Sequence, residues 1–385
     1  MNNSRNRYRT AGEGLPSLPS DGRAHNLTLA LRTLHAAGPM SRADLSRAMG
    51  LTRVTISDLV TELIARGHAV ELGLDETVRP GKPAILVDIN RHGLQIIGLD
   101  LTENAILRAA VMDLDGMILA SFARPITNET GEQLTALIVE LAQSAVELAT
   151  ETLLGIGVGS PGIVDSAGVV LTAPNLGWTN VPLQAIIQEA TGLPTLVHND
   201  ADAAVHGEYT FGHGADDMIL VRIGRGVGSS LMVGGVRARG VHSAAGEIGH
   251  VTVGAPEADA IVCQCGRTGC LETWLSVPAL QAALAATAQE HDPKKAADAV
   301  LHTAGERLGI ALAPIVAALD LAEVVLCGPP QLLEGALLEG VRETLAHRVL
   351  RLIPPPTNVR LTDEPENTVL RGTAVMVLSN QLGVD

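Results

Sequence analysis

The chain has few aromatic residues and few cysteines, and both shortages restrict the kind of protein it can be. Only 2% of its 385 residues are Phe, Trp or Tyr, so the core must consist mainly of Leu, Val, Ile and Ala. Its four cysteines are unevenly spaced and do not resemble a disulfide framework, which favours a reducing, cytoplasmic location. No uninterrupted apolar run is long enough to cross a bilayer, and the N-terminal run MNNSRNRYRTAGEG lacks the apolar segment of a signal peptide. We therefore expect a globular cytoplasmic protein without a membrane partner.

Basic charge is also scarce, and it is unevenly distributed along the chain. The net charge is -15, which by itself argues against binding to nucleic acid. Residues 1–95, however, contain 12 Lys and Arg against 9 Asp and Glu, whereas the remainder contains 15 against 33. A basic N-terminal segment joined to an acidic remainder is typical of a small nucleic-acid-binding domain attached to a larger sensor domain, although a chance distribution of charge gives the same pattern.

Residues 23–90 have the pattern of a winged helix-turn-helix, whereas residues 1–22 lack periodicity and are expected to form a disordered tail. Two short helices, preceded by Ser41 and Thr52 as capping residues, are separated by a turn at Gly50. Two short strands, HAVEL and AILVDI, then form the wing. The second helix is expected to bury four apolar side chains, namely Val54, Leu59, Leu63 and Ile64.

The candidate contacts to double-stranded operator DNA lie on this second helix and on the wing. The helix would enter the major groove by its N-terminal end, where Arg53 can offer two parallel donors to a guanine, with Thr55 and Ser57 beside it. The wing loop RPGKP holds Arg79 and Lys82 between prolines, and a narrow basic loop of this kind can enter a minor groove. A surface helix of a protein-interaction domain and a solvated loop are the alternatives.

An internal repeat organises residues 94–385. The segments that begin at Gln95 and Asp217 share one plan: an apolar strand, a turn, an alternating strand and a glycine turn. Two related halves, each led by a hairpin and followed by helices, indicate a duplicated α/β fold. The plan resembles that of actin-like sugar kinases, in which each hairpin turn holds phosphates of ATP in the cleft between the halves.

Three of the four cysteines lie in the ten-residue run CQCGRTGCLE, and a histidine precedes them. The spacing H-x12-C-x-C-x4-C fits tetrahedral Zn²⁺, and four protein ligands leave no open position, so the metal is expected to be structural. Three ordinary thiols and a core histidine are the alternative. The remaining cysteine, Cys327, has the surroundings of a buried apolar residue. The proposed ligands are His250, Cys263, Cys265 and Cys270.

Three carboxylates are placed where they can meet a ligand. Asp200 follows the apolar strand TLVHN, where it can either accept a proton from a substrate hydroxyl or cap the following helix. Glu247 lies three residues before His250, and Glu272 lies two residues after Cys270, so a zinc ion would fix both carboxylates relative to a cleft. Carboxylates of this kind are suited to pairing with the vicinal hydroxyls of a sugar.

Several motifs together resemble the ROK family (repressor, open reading frame, kinase) over essentially the whole chain. The most specific is GEIGH followed by C-x-C-G-x2-G-C-x-E, and the others, in the family's order, are GSPGIVD, PNLGW and HND. The N-terminal winged helix resembles its repressor branch, which includes xylose and N-acetylglucosamine repressors. The resemblance implies the zinc ligands above and, in the family's kinases, a catalytic base at the counterpart of Asp200. It also implies sugar contacts at Gly159, Asn175, Asn199, Asp200, Glu247, His250 and Glu272.

The chain departs from the kinases of the family at the turns that hold ATP. The kinases have D-x-G-G-T in the first hairpin turn, whereas residues 100–104 contain no glycine and Glu103 adds negative charge where a triphosphate would lie. In the second hairpin turn Arg225 replaces the threonine of G-T-G, and further on CGPP replaces a glycine pair near the adenine site. Sugar recognition is therefore expected to persist without phosphoryl transfer.

The sequence thus predicts a sugar-responsive transcriptional regulator, a repressor of carbohydrate-use genes that sugar binding releases from DNA. Its fold class is α/β, with a winged helix-turn-helix (23–90) followed by a two-lobed, duplicated, sugar kinase-like sensor domain (94–385) that holds structural zinc. The effector is a sugar or sugar phosphate, and a homodimer or higher homo-oligomer is expected because two operator half-sites must be engaged. An ATP-dependent sugar kinase with an appended DNA-binding domain and a zinc-stabilised interaction module are the alternatives.

Overall fold

The chain divides into two compact units in the computed structural model. The first unit is Met1–Asn90 with Leu382–Val384, and the second is Arg91–Gln381 with the terminal residue. The structure describes residues 19–74, 84–103, 105–253, 261–350 and 356–383.

Within residues 19–74 and 84–90, the structure of the first unit has three helices and a three-stranded antiparallel sheet in the order β1-β3-β2. In chain order its elements are α1 (Pro19–Ala37), β1 (Met40–Ser41), α2 (Arg42–Met49), α3 (Arg53–Ala65), β2 (Ala69–Leu74) and β3 (Ile85–Ile89).

Both predicted caps of the helix pair are present. The Ser41 side chain accepts a hydrogen bond from the Asp44 N–H at 3.1 Å, and its hydroxyl donates back to the Asp44 carboxylate at 2.7 Å. Thr52 accepts from the Thr55 N–H at 3.2 Å. Gly50 adopts φ +66°, the left-handed conformation that glycine tolerates best, and so ends α2. The chain therefore turns between α2 and α3 where the sequence places the turn.

The predicted buried face of α3 is wrong at its N-terminal end. Val54 is 73% exposed, and Ile64 is only half-buried. Ile56 and Val60 are fully buried with Leu59 and Leu63 instead. At about 100° per residue, Val54 points away from the side on which these four side chains lie, so the core excludes it.

The expected disordered tail is also too long by four residues, because α1 begins at Pro19. Proline is tolerated in a first helical turn, where its missing N–H would have no helical partner. Arg23 forms a salt bridge with Glu62 of α3 at 2.6 Å, which ties this early part of α1 to the rest of the unit. The contact joins residues far apart in sequence, so periodicity within residues 1–22 does not reveal it.

The first half of the second unit is built on a five-stranded sheet in the order β11-β7-β4-β5-β6, with a small antiparallel sheet, β10-β9-β8, beside it. Its elements are β4 (Leu94–Glu103), β5 (Ile106–Met112), β6 (Ile118–Pro125), α4 (Gly131–Leu148), β7 (Thr152–Ser160), β8 (Ile163–Val164), β9 (Val170–Ala173), β10 (Trp178–Val181), α5 (Leu183–Thr191), β11 (Thr195–Asn199) and α6 (Asp200–Phe211).

The second half is built on another five-stranded sheet, in the order β14-β13-β12-β15-β16. Its elements are β12 (Met218–Ile223), β13 (Val227–Val233), β14 (Val236–Arg237), α7 (Glu272–Leu275), α8 (Val277–Thr287), α9 (Pro293–Leu319), β15 (Glu323–Cys327), α10 (Pro330–Leu333), α11 (Ala336–Arg348), β16 (Asn358–Leu361) and α12 (Thr368–Leu382).

The two large sheets share one topology, which confirms the predicted duplication. In each sheet the leading strand, β4 or β12, pairs antiparallel with the strand that follows it and parallel with a later strand, β7 or β15. A further parallel strand, β11 or β16, completes each parallel side. The leading strands thus bring their hairpin turns and the ends of their parallel neighbours together at corresponding places in the two halves.

The cores of the second unit are aliphatic, as the low aromatic content requires. Trp178 is buried, and its indole Nε1 donates to the Gly131 carbonyl at 3.1 Å, so it is a core residue and not a stacking surface. Cys327 is also buried, as predicted. Helix α9 is long and apolar enough to cross a membrane, by length and composition alone. Half of its most apolar stretch is buried within the protein, however, and Leu308 and Leu312 lie in the core of the second half.

Candidate functional site

A cleft of about 760 Å³ lies within the second unit, lined by residues from both of its halves. Six of the seven predicted sugar contacts line it: Asn175, Asn199, Asp200, Glu247, His250 and Glu272. The cleft also includes Cys265 and Arg267 of the cysteine run. Segments that are far apart in sequence are therefore brought to one cavity.

Gly159 is the predicted sugar contact that the structure places elsewhere. It lies in β7, between Asp100 of β4 and His198 of β11, and is buried. A Cβ atom there would lie 2.5 Å from Val369 of α12, so the glycine is needed for close packing. The cleft is lined instead by residues 161–163, which follow β7.

Asn199 takes the capping role that the sequence left open for Asp200. The Asn199 side chain caps α6 by accepting hydrogen bonds from the N–H groups of Ala201 and Asp202, at 2.8 and 3.2 Å. Its Nδ2 group donates to the Gly162 carbonyl at 2.8 Å, which holds the loop after β7. Since Asn199 is the cap, the Asp200 carboxylate is directed to a different partner.

That partner is Arg222 of β12, whose guanidinium donates to the Asp200 Oδ2 at 2.9 Å. Both side chains are largely buried, and Asp100 is close enough to contribute to the same electrostatic cluster. Burial raises the pKa of Asp200, and the Arg222 guanidinium opposes that rise. Strand β12 belongs to the second half, whereas β4 and α6, which carry Asp100 and Asp200, belong to the first. Arg222 therefore places a positive charge of the second half beside two carboxylates of the first.

Glu247 and Glu272 face the cleft in different ways. Burial raises the pKa of Glu247, while His250 opposes that rise. The Glu272 Oε2 accepts a hydrogen bond from the Val227 N–H at 3.1 Å, and a Cβ atom at Gly226 would approach the same oxygen to 2.6 Å. Gly226 therefore allows Glu272 to bind the second hairpin turn, which links that turn to the cysteine segment.

The four predicted metal ligands converge. The ligand atoms of His250, Cys263, Cys265 and Cys270 all lie within 4.8 Å of one another. The Cys263 Sγ is 3.4 Å from the His250 Nδ1, and the Cys265 Sγ is 3.5 Å from the Cys270 Sγ. Ligand atoms around tetrahedral zinc are about 3.5–3.8 Å apart, given bond lengths of about 2.0–2.3 Å. The donor set and its spacing therefore fit a closed zinc site.

The histidine of this cluster also reaches the carboxylates of the cleft. Its Nδ1 faces the sulfur atoms, whereas its Nε2 lies 4.0 Å from the Glu247 Oε2. The segment Ile248–His250 is a single 3-10 turn, which puts Glu247 and His250 on adjacent positions. One ring nitrogen is thus available to a metal while the other faces the Glu247 carboxylate.

The side chains of the first hairpin turn form hydrogen bonds within the turn itself. The Asp100 carboxylate accepts hydrogen bonds from the N–H and the hydroxyl of Thr102, at 3.0 and 2.6 Å. Glu103 is exposed at the end of β4. Asn104, the last residue of the predicted departure from the kinase pattern, lies outside the described residues.

Of the five residues predicted to contact DNA, three lie in the part of the chain that the structure describes, and one of these three is exposed. Arg53 is exposed at the start of α3, but Ser57 is half-buried. Thr55 is half-buried too, and its hydroxyl lies 2.9 Å from that of the cap Thr52. Arg79 and Lys82 of the wing loop lie outside the described residues.

Sequence reasoning missed Arg222 as a residue of the site. The only signal for it is a basic residue in the run ILVRIG, two positions before the second hairpin turn. An arginine within a largely apolar strand needs a buried anionic partner. The partner, Asp200, comes from a different strand end, so local pattern alone does not identify the pair.

The fold and site define a class, namely proteins with a sugar kinase-like α/β fold whose two similar halves line one cleft. Within that class the chain belongs to the ROK family, whose model matches residues 96–380. It is 30% identical to the xylose repressor of Caldicellulosiruptor bescii over 389 aligned positions, which cover 93% of this chain and 96% of that protein.

Two solved structures show the same fold. A ROK family transcriptional regulator, described as a homolog of the E. coli MLC protein, has a TM-score of 0.79 at 24% identity and covers 94% of this chain and 97% of its own. A ROK family glucokinase from Streptomyces griseus, in complex with glucose and AMPPNP, has a TM-score of 0.64 at 26% identity and covers 73% of this chain and 98% of its own. The regulator extends over both units of this chain, whereas the glucokinase matches less of it.

Proposed function

We propose that this protein is a sugar-responsive transcriptional repressor of carbohydrate-use genes, in which the first unit binds operator DNA and the cleft of the second unit binds the effector. The observation that supports it best is the chain-long likeness to a xylose repressor. The same likeness confirms the predicted regulator class. The effector we propose is xylose or a related sugar, or its phosphate, bound by the carboxylates and amides of the cleft.

The first unit is proposed to be a winged helix-turn-helix. Its capped helix pair, α2 and α3, and the antiparallel strands β2 and β3 have the element order of that motif. Helix α3 would then enter the major groove and the loop between β2 and β3 would form the wing. Contacts of Arg53, Thr55, Ser57, Arg79 and Lys82 with DNA remain part of this proposal.

We propose that His250, Cys263, Cys265 and Cys270 hold a structural Zn²⁺ ion. When bound, the ion would fix the loop before α7 by four strong bonds and leave no position for a substrate. The backbone N–H of Arg267 lowers the pKa of Cys265, which favours the thiolate that a metal needs. This chain's Glu247 and Glu272 would then be held in place to accept hydrogen bonds from sugar hydroxyls.

We further propose a cytoplasmic homodimer or higher homo-oligomer. A repressor that reads a two-fold symmetric operator needs two copies of the reading helix, spaced by the symmetry of the protein. Size-exclusion chromatography with light scattering tests the assembly in the absence of DNA.

The test of the function has two arms. A thermal-shift panel of common sugars and their phosphates identifies the effector, because a ligand of the native state raises its melting temperature. Fluorescence anisotropy with duplexes that the full-length protein selects from a random library then measures whether that effector releases DNA. A stabilising sugar that leaves DNA affinity unchanged would contradict the repressor mechanism.

A sugar kinase with an appended DNA-binding domain is the second candidate, and retention of Asp200 is the observation that favours it. The Arg222 contact at 2.9 Å opposes it, because a carboxylate already paired with a guanidinium is a poor acceptor for a substrate proton. We expect no ADP release with the best thermal-shift sugar and ATP. Turnover at about 1–100 per second, as kinases show, would favour the kinase.

A further inference from the structure

An exposed valine lies at the end of α3 that a helix-turn-helix inserts into the major groove. Val54 is the second residue of α3, directly after Arg53 and two positions after the cap Thr52. It is 73% exposed, although β-branched apolar side chains are among those most often buried. Its exposure is thus a feature of the helix surface that the core does not explain.

The direction of Val54 follows from helix geometry. The buried side chains of α3 are Ile56, Leu59, Val60 and Leu63, and at about 100° per residue their mean direction is nearly opposite to that of Val54. Asp58 and Thr61, four and seven residues further on, lie on the same outer face and are exposed. Val54 is therefore at the N-terminal end of a stripe that points directly away from the unit's core.

The chemistry of this stripe favours contact with base edges over contact with phosphates. Asp58 is an acceptor whose negative charge would be repelled by the DNA backbone, whereas cytosine offers an amino donor in the major groove. Among the groups exposed in that groove, the C5-methyl of thymine is the apolar one, and an apolar side chain reads it by contact. Val54 has two methyl groups and no polar atom in its side chain, so thymine is its natural partner.

We propose that Val54 reads the methyl group of a thymine in each operator half-site, and this inference rests on the proposed DNA-binding function of α3. Burial of one methyl group is worth about a fourfold change in affinity. Val54 would thus add a sequence preference that Arg53, which favours guanine, does not supply.

The experiment uses the full-length protein and an operator that the wild type selects from a random duplex library. Each thymine of the selected site is replaced by deoxyuridine, in both half-sites at once, which removes only the C5-methyl group. For the wild type we expect a loss of about fourfold per half-site at one thymine position. For Val54→Ala we expect a similar loss on the thymine duplex and no further loss on the deoxyuridine duplex.

The matched control is Val241→Ala, which makes the same change at a valine that is 94% exposed in the second unit. This variant should keep the wild-type sensitivity to deoxyuridine. Melting temperatures of both variants should equal that of the wild type, because exposed substitutions rarely change stability. Equal melting temperatures exclude a folding defect as the cause of lost binding.

Two outcomes separate the inference from the function on which it rests. If the wild type selects an operator but Val54→Ala remains as sensitive to deoxyuridine as the wild type at every thymine, thymine reading by Val54 is wrong and the repressor proposal stands. If the wild type selects no common sequence, the proposed function fails and the inference fails with it.

Discussion

At the scale of single residues, Arg222 determines how the Asp200 carboxylate is held in the cleft. Its guanidinium contacts the Asp200 carboxylate, and Asp100 adds a second negative charge nearby. Burial of these charges is tolerable because they compensate one another. The same pairing occupies the Asp200 carboxylate, which the alternative proposal of a sugar kinase needs as its base.

Arg222→Met should destabilise the protein by about 3–5 kcal/mol, because it leaves the Asp200 carboxylate buried without its counter-charge. The double variant Arg222→Met/Asp200→Asn should recover much of that loss, since it removes both charges of the pair. Urea unfolding of the four proteins of this double-mutant cycle measures the coupling. Additive losses would show that the 2.9 Å contact does not stabilise the fold.

At the scale of structural elements, the cysteine segment and the second hairpin turn act together. Glu272 follows Cys270 by two residues, and its carboxylate accepts a hydrogen bond from the Val227 N–H at the start of β13. The Val277 N–H, at the start of α8, donates to the Gly224 carbonyl at 2.7 Å. The cluster of His250 and the three cysteines is thus connected through α7 to the wall of the cleft.

Cys265→Ser should lower the zinc content and weaken the response to sugar, although Cys265 is only at the edge of the cleft. The expected cause is loss of the metal that holds Glu247 and Glu272, because a hydroxyl is a poor replacement for a thiolate. Glu247→Gln is the matched variant, with zinc retained and sugar response lost. Elemental analysis and DNA release against sugar concentration measure both properties. A zinc-free Cys265→Ser protein that releases DNA at the wild-type sugar concentration would contradict the proposed link.

A second group of elements is joined by Arg360 of β16. Its guanidinium forms salt bridges at 2.7 Å with Glu208 of α6 and with Glu323 of β15, and both carboxylates are buried. Burial raises the pKa of Glu323 and is the largest single effect, but the hydrogen bonds from Arg360, the Ala215 N–H and Asn358, together with the charge of Arg360, outweigh it, so the net shift is downward. A carboxylate with a lowered pKa stabilises the fold above its ordinary pKa of 4.5 and loses that contribution as the pH falls.

Arg360→Met should therefore destabilise the protein by about 3–5 kcal/mol near pH 7, since two buried carboxylates lose their partner. The difference in melting temperature from the wild type should shrink as the pH falls towards about 4, because the stabilisation from the lowered pKa of Glu323 is lost there. Arg124→Met is the control, because its pair with Glu140 is exposed and worth about 0–1 kcal/mol. A pH-independent difference would exclude charge pairing as the cause.

At the scale of the whole molecule, the proposed function is a coupling between two units. A sugar that lowers operator affinity by some factor must have its own affinity lowered by the same factor when operator is bound. Isothermal titration of the effector into free protein and into the protein–operator complex measures one factor, and operator titration with and without effector measures the other. Unequal factors would show that the protein exists in a further state, such as a different oligomer, in one of the titrations.

Local patterns were sufficient for the features that depend on neighbouring residues. The three cysteines of the run CQCGRTGCLE and the preceding His250 predicted four ligands that do converge, because a short segment rich in glycine can fold around one ion. The caps Ser41 and Thr52 and the turn at Gly50 followed from the same kind of signal. The duplicated plan was visible because each half repeats its hairpin, and the two sheets have matching strand orders.

Only the tertiary structure decided the features that depend on packing between distant segments. Arg222 meets Asp200 because β12 and the end of β11 reach the same cleft, and no spacing in the chain predicts that contact. Gly159 packs against α12, whose position relative to β7 is a property of the whole second unit. Val54 was predicted to be buried because apolarity alone suggests a core role. The three-helix core places the other face of α3 inward, so Val54 is left on the surface.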